Sequence, residues 1–314
     1  MATSLDFSLG ALEIGVLLST CLYGVTTVQA YTYWSSRFRD PLWLRLLVAS
    51  IWVLESFHTI FLWVYLYRLT VTYYGVSAVL ASTTWSLDVS ALFDGVIGAT
   101  VQAYFAWRVH VVSQKYFIPV VSWCGSLLQL SAATAITILS TGTTIVYFDT
   151  HYEWLIAVNL ALDLFVDLVN TSALCYHLWL GRNGMRHTDR VLDTLLMWTI
   201  ETGLLTTVAA VMMLILSFAM AETALWITIS MFYAKLYSNS LLASLNGRSS
   251  LRRTRHKDSA NGVSTFPASG IAINVETAVE MQPLGSVDIK LQNRVHSTSS
   301  DEKHPSECGG KSFV

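Results

Sequence analysis

Charge is scarce in this sequence: Asp, Glu, Lys and Arg together supply 13% of its 314 residues, about half the share found in soluble domains. Residues of the set AVILMFWYC supply 53% and the mean hydropathy is +0.49, a balance that argues against a water-soluble globular protein. Cysteine is also sparse. Cys21, Cys124 and Cys175 lie in apolar stretches and Cys308 near the end of the chain, so no pair sits on predicted exterior loops and no disulfide scaffold is expected. The first nine residues hold no Lys or Arg, and the apolar stretch behind them is too long for a signal-peptide core; an uncleaved first span is expected instead. There is no H-E-x-x-H, no G-x-S-x-G elbow and no glycine-rich phosphate loop, so no catalytic residue, metal or cofactor is assigned. A net charge of -2 gives no reason to expect nucleic acid.

What is present is long apolar runs. A bilayer core about 30 Å thick is crossed by about 20 apolar helical residues, because lipid offers the backbone no hydrogen-bond partner. Seven stretches meet this requirement, near residues 10-34, 46-67, 89-107, 117-139, 155-178, 194-219 and 222-244. The fold class expected is an all-α membrane protein, a seven-transmembrane-helix bundle at residues 1-245 with a disordered cytoplasmic C-terminal tail at 246-314. All 11 Trp and all 14 Tyr precede residue 246, whereas 9 of the 19 Lys and Arg follow it. A tail that poor in aromatics buries too little apolar surface to offset the entropy of ordering.

Basic side chains resist crossing during insertion, so their placement orients the chain. Arg37, Arg39 and Arg45, then Arg108 and Lys115, then Arg182, Arg186 and Arg190 follow spans 1, 3 and 5; Arg248, Arg252, Arg253, Arg255 and Lys257 follow span 7. The opposite side has Arg68 alone, and thirteen against one implies an odd number of crossings with the N-terminus outside. Trp34, Trp43, Tyr116 and Trp179 near the inner ends, and Tyr73, Tyr74, Trp85, Tyr147, Tyr152 and Trp154 near the outer ones, suit amphipathic rings at the two interfaces. The five basic residues after span 7 form a juxtamembrane cluster that would hold anionic lipid at about 1 kcal/mol per residue.

Ionisable groups inside a bilayer need a partner or a wet cavity. Asn159, Asp163, Asp167 and Asn170 follow i, i+4, i+8 and i+11, so one face of span 5 is polar and looks into the bundle. Span 2 adds Glu55 and His58, span 3 Asp94 and Gln102, span 6 Glu201, and span 7 Lys235 and Asn239. Counting about 1.5 Å per residue from the outer ends puts Glu55, Asp167 and Lys235 at about 18 to 20 Å depth, which predicts a contact of Lys235 with Asp167, Glu55 or Glu201. Glu55, His58, Asp94, Asp163, Asp167, Glu201 and Lys235 are the ligand- or ion-binding candidates; Asn159, Asn170 and Asn239 form a helix-packing seam. Receptor-like or sensory binding of a small extracellular ligand is the expected function. A small-solute or ion transporter is the alternative, and an intramembrane metal enzyme using His58 with Asp94, Asp163 or Asp167 a distant third.

A lysine on the last of seven spans invites a retinal Schiff-base reading, but Met231 rather than an acid stands four residues before Lys235. Trp107-Arg108-Val109 and Tyr237-Ser-Asn-Ser depart from the signatures of G-protein-coupled receptors. Of five prolines only Pro119 falls inside a span, unlike those receptors or the small seven-span sugar carriers. The strings Leu22-Tyr-Gly-Val-Thr-Thr-Val-Gln-Ala-Tyr31, Val101-Gln-Ala-Tyr-Phe-Ala-Trp-Arg108, Thr202-Gly-Leu-Leu-Thr206 and, most specific, Lys235-Leu-Tyr-Ser-Asn-Ser-Leu-Leu-Ala-Ser-Leu-Asn246 resemble fungal, mainly basidiomycete, multi-span membrane proteins grouped under the domain of unknown function 6534. The resemblance runs over residues 10-252. It implies an integral membrane protein with no established activity; independently of it, the location expected is the plasma membrane or another endomembrane.

Overall fold

The computed structural model describes residues 2-36, 40-76, 82-181, 186-219 and 225-261, and every element among them but one isolated bridge is helical. Helix α1 is Ala2–Ser35 and α2 is Leu42–Tyr67, which continues through a π-helical turn at Arg68–Thr72. Then come α3, Trp85–Ser113, and α4, Phe117–Ser140. The last three are α5, Ile145–Leu180, α6, Arg186–Ala219, and α7, Leu225–Asn261.

Local chemistry sets several of these ends. Pro41 stands in extended conformation just before α2, and Pro119 falls in the first turn of α4, where its missing N–H breaks no helical bond. Thr144 caps α5 by accepting from the Tyr147 N–H at 3.2 Å, and its backbone bridges to Ser82 ahead of α3. Gln114 closes α3 in the left-handed region at φ 56°.

The helices pack in chain order around a ring, α1 against α2 and so on to α7 against α1, while α3 also touches α5 and α7. Two glycines let α5 sit tightly between its neighbours. A Cβ on Gly125 of α4 would lie 2.5 Å from a Val166 methyl carbon, and one on Gly203 of α6 would lie 2.5 Å from the Thr171 hydroxyl oxygen. Val48, Ile51, Ile97, Val101, Leu241 and Leu242 are fully buried where α2, α3 and α7 converge.

Burial is inverted relative to a water-soluble protein. Glu55, His58, Gln102, Asp163 and Lys235 are buried, while Leu17, Leu46, Leu127, Ile138, Leu204 and Ile215 face outward. Such an apolar girdle is a liability in water and the expected surface against lipid chains. Six helices, α1 to α6, are long and apolar enough to cross a membrane, which makes this a multi-pass membrane protein. The exception is α7. Its Lys235, Ser238, Ser240 and Ser244 lower its hydropathy, and all four are buried among the other helices.

Most helices run beyond the apolar stretches that mark them in the sequence. The clearest case is α7, which continues as helix to Asn261, so residues 246-261 are not the start of an irregular tail; between Gly247 and Asn261 there is neither Gly nor Pro, and Leu, Arg and Lys favour helix. Arg248, Arg252, Arg253, Arg255 and Lys257 fall on this extension, but their side chains lie outside what the structure describes. The rest of the expected tail, 262-314, and residues 222-224 of the expected seventh span also lie outside the described residues.

Candidate functional site

Two polar clusters occupy the interior. In the first, α2 presents Glu55, His58 and Thr59 to α7. Lys235 Nζ donates to the Glu55 carboxylate, and lies 2.9 Å from Thr59 Oγ1 and 3.0 Å from His58 Nδ1. Ser238, one turn on, donates to the other Glu55 oxygen. The Glu55 backbone carbonyl also lies 3.2 Å from Lys235 Nζ, so the three N–H donors of the ammonium are shared among four acceptors. If Lys235 donates to His58 Nδ1, the ring proton sits on Nε2, which lies 3.3 Å from Asp94 Oδ1, and neither of these two atoms has a hydrogen-bond partner among the described residues. An unbroken line of polar side chains therefore runs from Asp94 of α3 through His58 to Lys235 and Glu55.

The second cluster joins α3, α5 and α7. Gln102 Nε2 donates to Asp163 Oδ1 at 2.7 Å and Asp167 Oδ1 at 3.1 Å, while its carbonyl accepts from Ser126 of α4 at 3.0 Å. The opposite carboxylate oxygens face tyrosines. Tyr233 bonds Asp163, and the Tyr237 hydroxyl lies 3.0 Å from Asp163 Oδ2 and 2.6 Å from Asp167 Oδ2. Asn170 Nδ2 donates to the backbone carbonyl of Gln102 at 3.4 Å. The i, i+4 spacing of Asp163 with Asp167, and of Tyr233 with Tyr237, puts each pair on one face of its helix, so two turns of α5 and α7 mesh.

A cavity of about 150 Å³ opens above this cluster, between the starts of α3, α5 and α7 and the ends of α4 and α6. Its walls are apolar, from Leu87, Ile136, Phe148, Ile156, Met213 and Trp226. Its polar lining includes Asp88, Asp94, Asn159, Asp163, Gln129 and Tyr233, and among the described residues no Lys, Arg or His contributes. Asp88 is taken up by Ser140 at 2.7 Å. Gln129 Oε1 and Asn159 Oδ1 have no hydrogen-bond partner, and the Asp94 side chain keeps 19% of its surface exposed. A second, smaller cavity of about 30 Å³ lies one turn further along α5, lined by Asp167, Asn170, Thr206, Tyr237 and Ser240 among others.

The structure thus brings Glu55, His58, Asp94 and Lys235 together and sets Asp163 and Asp167 in a separate cluster. Of the three acids offered to Lys235 by depth, it meets Glu55. Glu201 joins neither group: it is exposed on the outer face of α6, because the turn carrying Gly203 and Thr206 is the one that faces α5. Asn239 packs α7 on α1 by donating to the Leu22 carbonyl at 3.2 Å, and Asn246 repeats this at Gln29, 2.8 Å. Among the described residues no three His, Cys, Asp or Glu are placed to hold one metal ion. Sequence reasoning passed over Thr59, Ser126, Tyr233, Tyr237 and Ser238. The signal available was spacing, since Tyr233, Tyr237 and Ser238 flank Lys235 within one turn.

The family of unknown function DUF6534 matches residues 163-250, the stretch that holds Asp163, Asp167, the whole of α6 and the polar part of α7. That match supports the family the sequence resembles. No curated protein and no solved structure matches the chain.

Proposed function

We propose that the chain crosses the membrane seven times, with its N-terminus outside, and acts as a receptor-like or sensory protein that binds a small ligand in the 150 Å³ cavity. The orientation rests on thirteen basic residues against one. It places the cavity at the outer end, on the side of the loop that follows Arg68. The observation that carries the reading is the mismatch between the cavity's acceptors and its donors. The Asp94 side chain keeps 19% of its surface exposed here, Asn159 Oδ1 and Gln129 Oε1 beside it have no hydrogen bond, and among the described residues no basic side chain lines the space. A buried acceptor without a donor is costly, so the fitting occupant donates. An engineered apolar cavity of about 150 Å³ holds benzene, which sets the size at a single ring or a short chain. A small organic ammonium with an apolar body satisfies both walls and acceptors. The reading is one of binding, without a catalytic step.

The test is the melting temperature of the full chain in lipid nanodiscs with benzylamine, benzyl alcohol or benzoate. Benzylamine is expected to stabilise most, benzyl alcohol less and benzoate not at all. Preference for benzoate would overturn the ammonium assignment, and stabilisation by none of the three would overturn the binding reading itself.

A further inference from the structure

We infer that Asp163, Tyr237 and Asp167 form a proton relay between the two cavities, giving the protein a proton-conducting activity beyond ligand binding. Asp163 lines the outer cavity and Asp167 the inner one, while Tyr237, whose hydroxyl touches both carboxylates, lines both. The order is the same on every helix involved. Along α5 the outer cavity takes Phe148 to Asp163 and the inner takes Asp167 to Leu174; along α7 they divide at Tyr237.

The inner cavity is the size of one water molecule, about 30 Å³. Asn170, only 4% exposed, lines it, and its Oδ1 has no donor in the protein. A water there supplies the donor and stands beside Asp167.

Counting protons points the same way. The two tyrosines and two carboxylates make four oxygen–oxygen contacts: Tyr233 with Asp163 and with Tyr237, and Tyr237 with each aspartate. Two phenols bring two protons, so any further hydrogen bond needs a proton on a carboxyl group. No cation replaces it among the described residues. From α2 and α7, Glu55 and Lys235 neutralise each other; Asp94 of α3 faces His58; α4 carries no charge, and Glu201 of α6 faces outward. The transfer balances. Asp163 gives its proton to the Tyr237 oxygen as the Tyr237 hydroxyl gives its own to Asp167. Asp167 passes it to the inner water, and Asp163 is reprotonated from the outer cavity. Toward the inner ends the buried side chains of Val109, Leu174 and Leu178 close the path, so conduction waits on their movement.

The experiment uses the full chain in liposomes with a potassium gradient, valinomycin and an internal pH-sensitive dye, without ligand. Expected are proton flux above that of protein-free liposomes, a several-fold increase in Leu174→Ala, and a loss of tenfold or more in Tyr237→Phe and Asp167→Asn, with Glu201→Gln unchanged. Absence of flux from both the wild-type chain and Leu174→Ala would overturn the relay, as would Tyr237→Phe and Asp167→Asn conducting like wild type. A gain in Leu174→Ala that is lost again in Leu174→Ala combined with Tyr237→Phe separates the relay from a leak through a loosened bundle. The nanodisc melting series reads ligand binding separately, so either inference can fail alone.

Discussion

Lys235 and Glu55 form an ion pair between α7 and α2 in which neither side chain keeps any exposure to solvent or lipid. A charge held so deep depends on its partner, because removing one side strands the other without solvation. Lys235→Met is therefore expected to destabilise by about 3–5 kcal/mol. Lys235→Met combined with Glu55→Gln is expected to destabilise less than the single change, since no buried charge is left. Denaturation in nanodiscs measures both, and a double variant no more stable than the single one would show that the pair does not balance as described.

Tyr237→Phe removes a hydroxyl that touches two buried carboxylates and the Tyr233 oxygen. Taking one donor from carboxylates that keep Tyr233 and Gln102 costs about 1–3 kcal/mol. Tyr65→Phe is the comparison, because that ring is just as buried but its hydroxyl takes no part in the cluster. The expected order of melting temperature is wild type, then Tyr65→Phe, then Tyr237→Phe. Equal melting of the two variants would count against the cluster as a source of stability.

The helices were legible because apolar length and the rule for basic residues both act along the chain. So was the polar face of α5, whose four members repeat at helical spacing. Partner choice was not. Depth put Glu55 and Asp167 in the layer of Lys235 and Glu201 deeper, without choosing among them, and the rotation of each helix decides: α2 turns Glu55 toward α7, while α6 turns Glu201 outward. Tyr233 and Tyr237 stayed hidden for another reason. In an apolar span a tyrosine reads as hydrophobic bulk, and its hydroxyl becomes chemistry only when an acid on another helix lies within reach. The helical extension of α7 to Asn261 was masked by its charge, because low hydropathy marks the end of a span but not the end of a helix.

Gly203 tests how tightly α5 and α6 must approach. A side chain there would meet Thr171, so Gly203→Val is expected to destabilise by about 1–3 kcal/mol through overpacking. Thr171→Ala removes the atoms in the way. The combination is expected to melt above Gly203→Val alone, and additive losses would mean that the two helices do not touch at this point.

Asp94 stands where the cavity meets the buried ion pair, one oxygen facing His58 and the side chain still partly open. Asp94→Asn keeps the shape and removes the charge, so a benzylamine probe should bind roughly tenfold more weakly or worse, the loss of one charge-assisted hydrogen bond. Benzyl alcohol, which needs no counter-charge, should lose much less. Ala91→Phe acts differently: it fills the same cavity from α3 and should exclude both probes alike. Calorimetry with the two probes against the two variants separates charge from space. Should Asp94→Asn weaken both probes equally, the carboxylate shapes the cavity rather than recognising a cation, and the ligand is to be sought among neutral donors.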